Sequence, residues 1–122
     1  MLTILVVEDE FGVAEVVMTA LEDEGYRIVL AANGRQALER LSEAQPDLII
    51  ADFMMPIMDG AAMGKAVRSS PEFKDVPFIM TSAVGEASVR ERWDGFQAFL
   101  RKPFRIQELL DAVARLIGKS SR

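Results

Sequence analysis

Asp47-Leu-Ile-Ile-Ala-Asp52-Phe-Met-Met-Pro56-Ile-Met-Asp59-Gly60 is the stretch on which the reading of this chain turns. The apolar run Leu48 to Ala51 is too short for a helix and has no polar alternation, as expected of a parallel strand covered on both faces. Asp52 closes the run, so its carboxylate sits at the strand's carboxyl end, where open α/β sheets place their ligands. Pro56 bars helix continuation, and Asp59-Gly60 opens the next helix with a capping side chain. A plain strand-ending turn residue is the ordinary alternative for such an aspartate.

Working outward, the same arrangement recurs. Thr3 to Val7 is a β-branched strand ending in Glu8-Asp9-Glu10, and Ala14, Val17, Met18 and Leu21 then form a helical stripe stopped by Gly25. Arg27 to Ala31 makes the next strand, followed by a helix with a capping-box-like Asn33 and Gln36 and an inner face of Ala37, Leu38 and Leu41, ended by Pro46. After Asp59, Met63, Ala66 and Val67 supply a short stripe broken at Ser69-Ser70-Pro71. Val76 to Met80 reads as a fourth strand finishing in Thr81-Ser82, Val84 to Asp94 as a short helix with Val89 and Trp93 on one face, and Phe96 to Leu100 as a fifth strand leading to Arg101-Lys102-Pro103. Ile106, Leu109, Leu110, Val113, Leu116 and Ile117 form the last helical stripe, before Gly118 and a polar tail. Strands alternating with helices imply right-handed parallel crossovers: an α/β, doubly wound, five-stranded sheet with five helices, forming one domain over residues 1–122.

Composition narrows the chemistry. Half of the 122 residues are hydrophobic, which excludes a disordered chain, and a net charge of −5 disfavours direct nucleic-acid binding while favouring a cation or a basic protein surface as partner. There is no cysteine and no histidine, so thiolate and imidazole chemistry are excluded, and a cytoplasmic setting is expected. The N-terminal apolar run is too short, and too acidic at its end, for a signal peptide or a membrane span.

In such a sheet the strand ends bring Glu8, Asp9, Asp52, Ser82 and Lys102 to one edge. Clustered carboxylates repel, and a divalent cation bound by oxygen alone would relieve them, which indicates Mg2+, with Mn2+ able to substitute. A carboxylate can also accept a phosphoryl group when cations neutralise the equatorial oxygens, and Ser82 can donate to a phosphoryl oxygen only once one is present. Singly, each residue has a duller role: the acids a solvated helix start, Lys102 a surface lysine, Ser82 a backbone partner at a strand end.

Taken together, Ile4-Leu-Val-Val-Glu8-Asp9-Glu10, Asp52 through Gly60, Ser82-Ala83 and Lys102-Pro103-Phe104 resemble the receiver domain of two-component response regulators over essentially the full length. The resemblance implies the flavodoxin-like strand order 2-1-3-4-5. It implies Asp52 as phosphoryl acceptor, Glu8, Asp9, Asp52 and the Met54 carbonyl as Mg2+ ligands, and Lys102 as the phosphate-pairing lysine. Ser82 takes the switching hydroxyl, with Thr81 as fallback, and Phe99 the rotating aromatic. The implied donor is a sensor histidine kinase or phosphotransfer protein, and the output a phosphorylation-dependent surface for a downstream protein, with phosphorylation-linked dimerisation one form it can take.

Departures from the family pattern carry expectations too. The acid pair is Glu-Asp where Asp-Asp is commoner, and Met54 and Val84, at the two positions that tune acyl-phosphate hydrolysis, cannot orient water, so a long-lived phosphorylated form is expected. Glu91 and Arg92 stand where the family is apolar, so the fourth helix is expected to be mobile or displaced until a phosphoryl group or partner orders it. Competing classes are a degenerate receiver that binds without phosphorylation, a small aspartyl-phosphate phosphatase, which would need an acid where Met54 stands, and a flavin-binding module, whose phosphate loop Glu8-Asp9-Glu10 would repel.

Overall fold

The computed structural model describes residues 1–118; the expected polar tail, Lys119 to Arg122, lies outside them. In chain order the elements are β1 (Thr3–Val7), α1 (Phe11–Asp23), β2 (Arg27–Ala31), α2 (Gly34–Ala44), β3 (Leu48–Asp52), α3 (Gly60–Arg68), β4 (Phe78–Ser82), α4 (Glu86–Arg92), β5 (Ala98–Arg101) and α5 (Ile106–Ile117). The strands form one parallel sheet in the order β2-β1-β3-β4-β5. Burial explains that order. β1, β3 and β4 are buried along their whole length and occupy the centre, whereas β2 and β5 carry exposed or half-buried positions and form the edges.

Alternation along the strands splits the core into two layers. Leu5, Ile49, Ala51, Phe78 and Met80 face α2, α3 and α4, while Ile4, Leu48, Ile50, Ile79 and Leu100 face α1 and α5. Leu21 of α1 and Leu109 of α5 are fully buried, and each side chain of that size contributes roughly 1.5–3 kcal/mol when removed from water. The expected stripes are narrower than the sequence pattern: Met18, Leu38 and Ala66 are only half-buried at the margins of their helices.

Caps fix where the helices start. Asp59 accepts the Ala62 N–H at 2.8 Å, and Asn33 accepts the Gln36 N–H at 2.9 Å. Gln36 does not complete a capping box with Asn33; its carboxamide oxygen takes the N–H of Ala32 instead. Gly25, at φ 92°, closes α1 as expected.

Two strands begin later than the apolar runs. β4 starts at Phe78, not Val76, because the Val76 N–H turns back to the Phe73 carbonyl and Pro77 has no N–H to give the ladder. It runs on through Thr81 and Ser82. β5 starts at Ala98, not Phe96, since pairing with β4 opens at the Gln97 N–H, which donates to the Phe78 carbonyl. Trp93 likewise leaves the helical face assigned to it. It caps α4 in an extended conformation (φ −170°) and packs edge-on against Phe78, with ring centroids 4.9 Å apart.

Candidate functional site

Three strand ends and one turn build the crevice. Glu8 extends β1 by one more ladder bond, its N–H donating to the Ala31 carbonyl at 3.0 Å, and this brings its side chain under the sheet edge, only 8% exposed. Asp52 is the last residue of β3 and 7% exposed. Beyond it the Phe53 N–H donates to the Thr81 carbonyl and the Gly60 N–H to the Phe53 carbonyl, so the loop carrying Met54 to Asp59 folds back over the strand. That return requires glycine: a Cβ at Gly60 would stand 2.6 Å from the Asp52 carbonyl oxygen.

The charges meet as the motif implies. Lys102 Nζ donates to Glu8 Oε1 at 2.8 Å and to Asp52 Oδ2 at 3.2 Å, tying the ends of β1, β3 and β5 together across up to 94 residues of sequence. Carboxylate oxygens of Glu8, Asp9 and Asp52 lie within 4.8 Å of one another, with Asp9 exposed at the mouth. Burial pushes the Glu8 and Asp52 carboxyls above the ordinary carboxylate range, against the opposing pull of Lys102. Burial also works to lower the Lys102 ammonium, but its contacts with the two acids outweigh it, and the ammonium is held above its usual range.

One ammonium thus serves two buried acids while a third waits at the rim. Oxygen donors without sulfur or nitrogen, at this spacing, fit a hard divalent cation. The cluster meets that test.

The remaining residues named from the sequence sit around this core. Ser82 is fully buried at the end of β4; its carbonyl accepts the Lys102 N–H at 2.8 Å and its Oγ accepts the Val84 N–H at 3.0 Å. Thr81, the fallback, pairs in register with Asp52 and is also buried. Phe99 is half-buried on β5, its ring 6.0 Å from that of Phe96. Met54 and Val84 are exposed, as is Ile57, which has φ 70°.

Two arginines to which the sequence assigned no partner are tied to the same loops. Arg92 at the end of α4 bridges to Asp59 at 3.0 Å and lies over the Phe53 ring, joining α4 to the loop after Asp52. Arg101 Nε donates to the Ala83 carbonyl at 2.8 Å. Neither contact leaves a local signature, because partners 33 and 18 residues apart follow no periodic pattern.

An acidic crevice at the carboxyl edge of a 2-1-3-4-5 parallel sheet, with a lysine just beyond the last strand bridging it, defines a receiver-type site. The model of the response regulator receiver domain family matches residues 4–114. Response regulator MprA of Mycolicibacterium vanbaalenii is 35% identical over 122 residues, which cover 97% of this chain and 51% of that protein. Among solved structures, chemotaxis protein CheY4 of Vibrio cholerae superposes with a TM-score of 0.90 at 33% identity, covering 95% of this chain and 98% of that one. The receiver domain of sensor histidine kinase PA1611 from Pseudomonas aeruginosa, which has a magnesium ion in its active-site cleft, gives a TM-score of 0.88 at 32% identity, covering 97% and 98% of the two chains. The chain belongs to the response regulator receiver domain family of two-component signalling. It spans about half the length of the curated relatives it matches. Among the described residues, no helix is long and apolar enough to cross a membrane.

Proposed function

We propose that Asp52 is the phosphoryl acceptor of a cytoplasmic signalling switch, supplied by a phosphohistidine on a separate sensor kinase or phosphotransfer protein. The observation that carries the proposal is the Lys102 ammonium held between Asp52 and Glu8 with Asp9 alongside. Glu8, Asp9 and Asp52 are the side chains that would hold Mg2+, with the Met54 carbonyl as the further ligand the family pattern assigns; the ion supplies positive charge against the phosphoryl oxygens. In the transfer, an Asp52 carboxylate oxygen forms a bond to phosphorus as the bond from phosphorus to the donor's imidazole nitrogen breaks, leaving the imidazole on the donor protein. Lys102 neutralises charge that develops on the transferred group. Ser82, whose hydroxyl accepts from Val84 and keeps its own proton free, donates to the new phosphoryl oxygen, an interaction present in only one state of the switch. Phe99, on the same strand as Arg101, is the aromatic that follows Ser82 inward. The domain covers residues 1–122 and turns over no substrate beyond its own phosphorylation and dephosphorylation.

A phosphatase would need a general acid two residues after Asp52, and Met54 is neither acidic nor buried. A degenerate receiver would lack one of the acids, the hydroxyl or the lysine, and here each position is filled. Incubation with acetyl phosphate and Mg2+ followed by intact-mass spectrometry tests the reading. The native chain is expected to gain one phosphoryl group in a Mg2+-dependent way, and Asp52→Asn none; modification of both chains, or of neither, overturns it.

A further inference from the structure

β5 ends at Arg101, and Lys102 is the first residue beyond it. Lys102 meets Asp52 and Glu8, whereas Arg101 shares by strand alternation the face of Phe99, opposite that of Ala98 and Leu100. Arg101 is the registered cross-strand neighbour of Ser82, as Phe99 is of Met80. Its Nε donates to the carbonyl of Ala83, the residue after Ser82, at 2.8 Å, and its Nη1 lies 3.7 Å from where a Cβ on Gly85 would be. The turn out of β4 is therefore held from β5 twice, by the Lys102 backbone on the Ser82 carbonyl and by the Arg101 side chain on the next one. Within the turn, Ser82 Oγ is engaged by the Val84 N–H.

We infer that Arg101 is a positioning residue that pins the Ser82-Ala83-Val84 turn in its resting arrangement and so sets how readily the Ser82 hydroxyl reaches a phosphoryl group on Asp52. The inference rests on the phosphoacceptor reading of Asp52. Moving the Ala83 carbonyl away from the guanidinium gives up a charge-assisted bond, and a backbone shift of Ser82 toward Asp52 carries the adjoining Ala83 peptide with it. Arg101 thus opposes the activated state and not metal binding, since it touches none of the three carboxylates.

The test uses beryllofluoride, a phosphoryl mimic, titrated calorimetrically into the chain in Mg2+, with Mg2+ alone as a parallel titration. Arg101→Met keeps an unbranched stem out to the ε position and removes the guanidinium donors at an exposed position. It is expected to bind beryllofluoride about two- to fivefold more tightly, in the lower range for an exposed hydrogen bond, with Mg2+ affinity changed less than twofold. In a Ser82→Ala background the same substitution is expected to have no effect, because the hydroxyl whose approach it controls is gone. Unchanged or weaker beryllofluoride binding by Arg101→Met overturns the inference, as does a gain that persists without the Ser82 hydroxyl. An equal gain in Mg2+ affinity overturns it too, since it would show that Arg101 acts through its charge. Failure of the wild-type chain to bind beryllofluoride at all would sink the phosphoacceptor reading first, and this inference with it.

Discussion

Asp52→Asn should make the metal-free protein more stable, although it removes a residue that is buried and ion-paired. At an effective dielectric of about 20, a pair of unit charges at the 4.8 Å that spans the nearest carboxylate oxygens of Asp52, Glu8 and Asp9 repels by about 3.5 kcal/mol. The Lys102 contact at 3.2 Å returns about 5 kcal/mol on the same scale. Neutralising residue 52 therefore lifts about 7 kcal/mol of repulsion and forfeits about 5, and Glu8 retains its lysine. Screening at the exposed Asp9 side reduces the balance, so we expect a gain of about 1–2 kcal/mol. Urea denaturation followed by circular dichroism, at neutral pH and low salt in EDTA, reads this directly.

The pH dependence has a definite sign. Both buried acids bind a proton more readily folded than unfolded, so protonation contributes stability that is complete below the unfolded carboxyl range and is lost as pH rises through the raised folded values. The advantage of Asp52→Asn should therefore shrink on acidification. It should shrink or reverse in Mg2+ as well, because a ligand at 100 times its dissociation constant stabilises the native chain by about 2.7 kcal/mol. An Asn variant less stable than wild type in EDTA at neutral pH would refute the electrostatic account of the crevice.

Three further outcomes can be checked. Gly64→Ala would drive a Cβ to within 2.4 Å of the Trp93 ring, so despite better helix propensity it should destabilise the fold by about 1–3 kcal/mol, and a Trp93→Leu background should relieve the penalty; an additive pair would argue against the clash. Ile57 is a β-branched residue at φ 70° and 73% exposed, so Ile57→Gly should raise stability by about 0.5–1 kcal/mol in thermal unfolding, and a loss would mean that the isoleucine contributes packing that outweighs its strain. Once phosphorylated, the chain should keep its phosphoryl group for many minutes, because the exposed side chains of Met54 and Val84 are apolar and can hold no water in line by hydrogen bonding; a phosphate-release assay showing loss within seconds would contradict this.

Much of the architecture could be read from the residues because the central strands are pure apolar runs. Thr3–Val7, Arg27–Ala31 and the run closed by Asp52 stand where expected, since each is bounded by charge or glycine. β4 and β5 shifted by two residues because Val76 and Phe96 are apolar for reasons of loop packing: both sit against the α2/α3/α4-side core without joining the ladder. The crevice was legible for a topological reason, namely that parallel strands deliver whatever ends them to one edge. What stayed hidden was the work of long side chains. Arg92 sits in α4 where an apolar residue was anticipated, and it compensates by reaching Asp59; Arg101 looked like one more charge before a lysine. Periodicity reports which face a residue occupies, not which carbonyl a guanidinium will find.

The packing of Trp93 has a practical consequence. It is the only indole in the chain, it stacks edge-on with Phe78, lies close to Gly64 and sits under the Arg68 guanidinium at 5.7 Å. Its emission therefore reports, without any label, on the seam between α3 and the end of α4, a part of the molecule joined to Asp52 both by the loop held by Asp59 and Arg92 and by β4, which carries Phe78 and pairs with β3. Stopped-flow traces of that emission would time how quickly news of the chemistry crosses the domain.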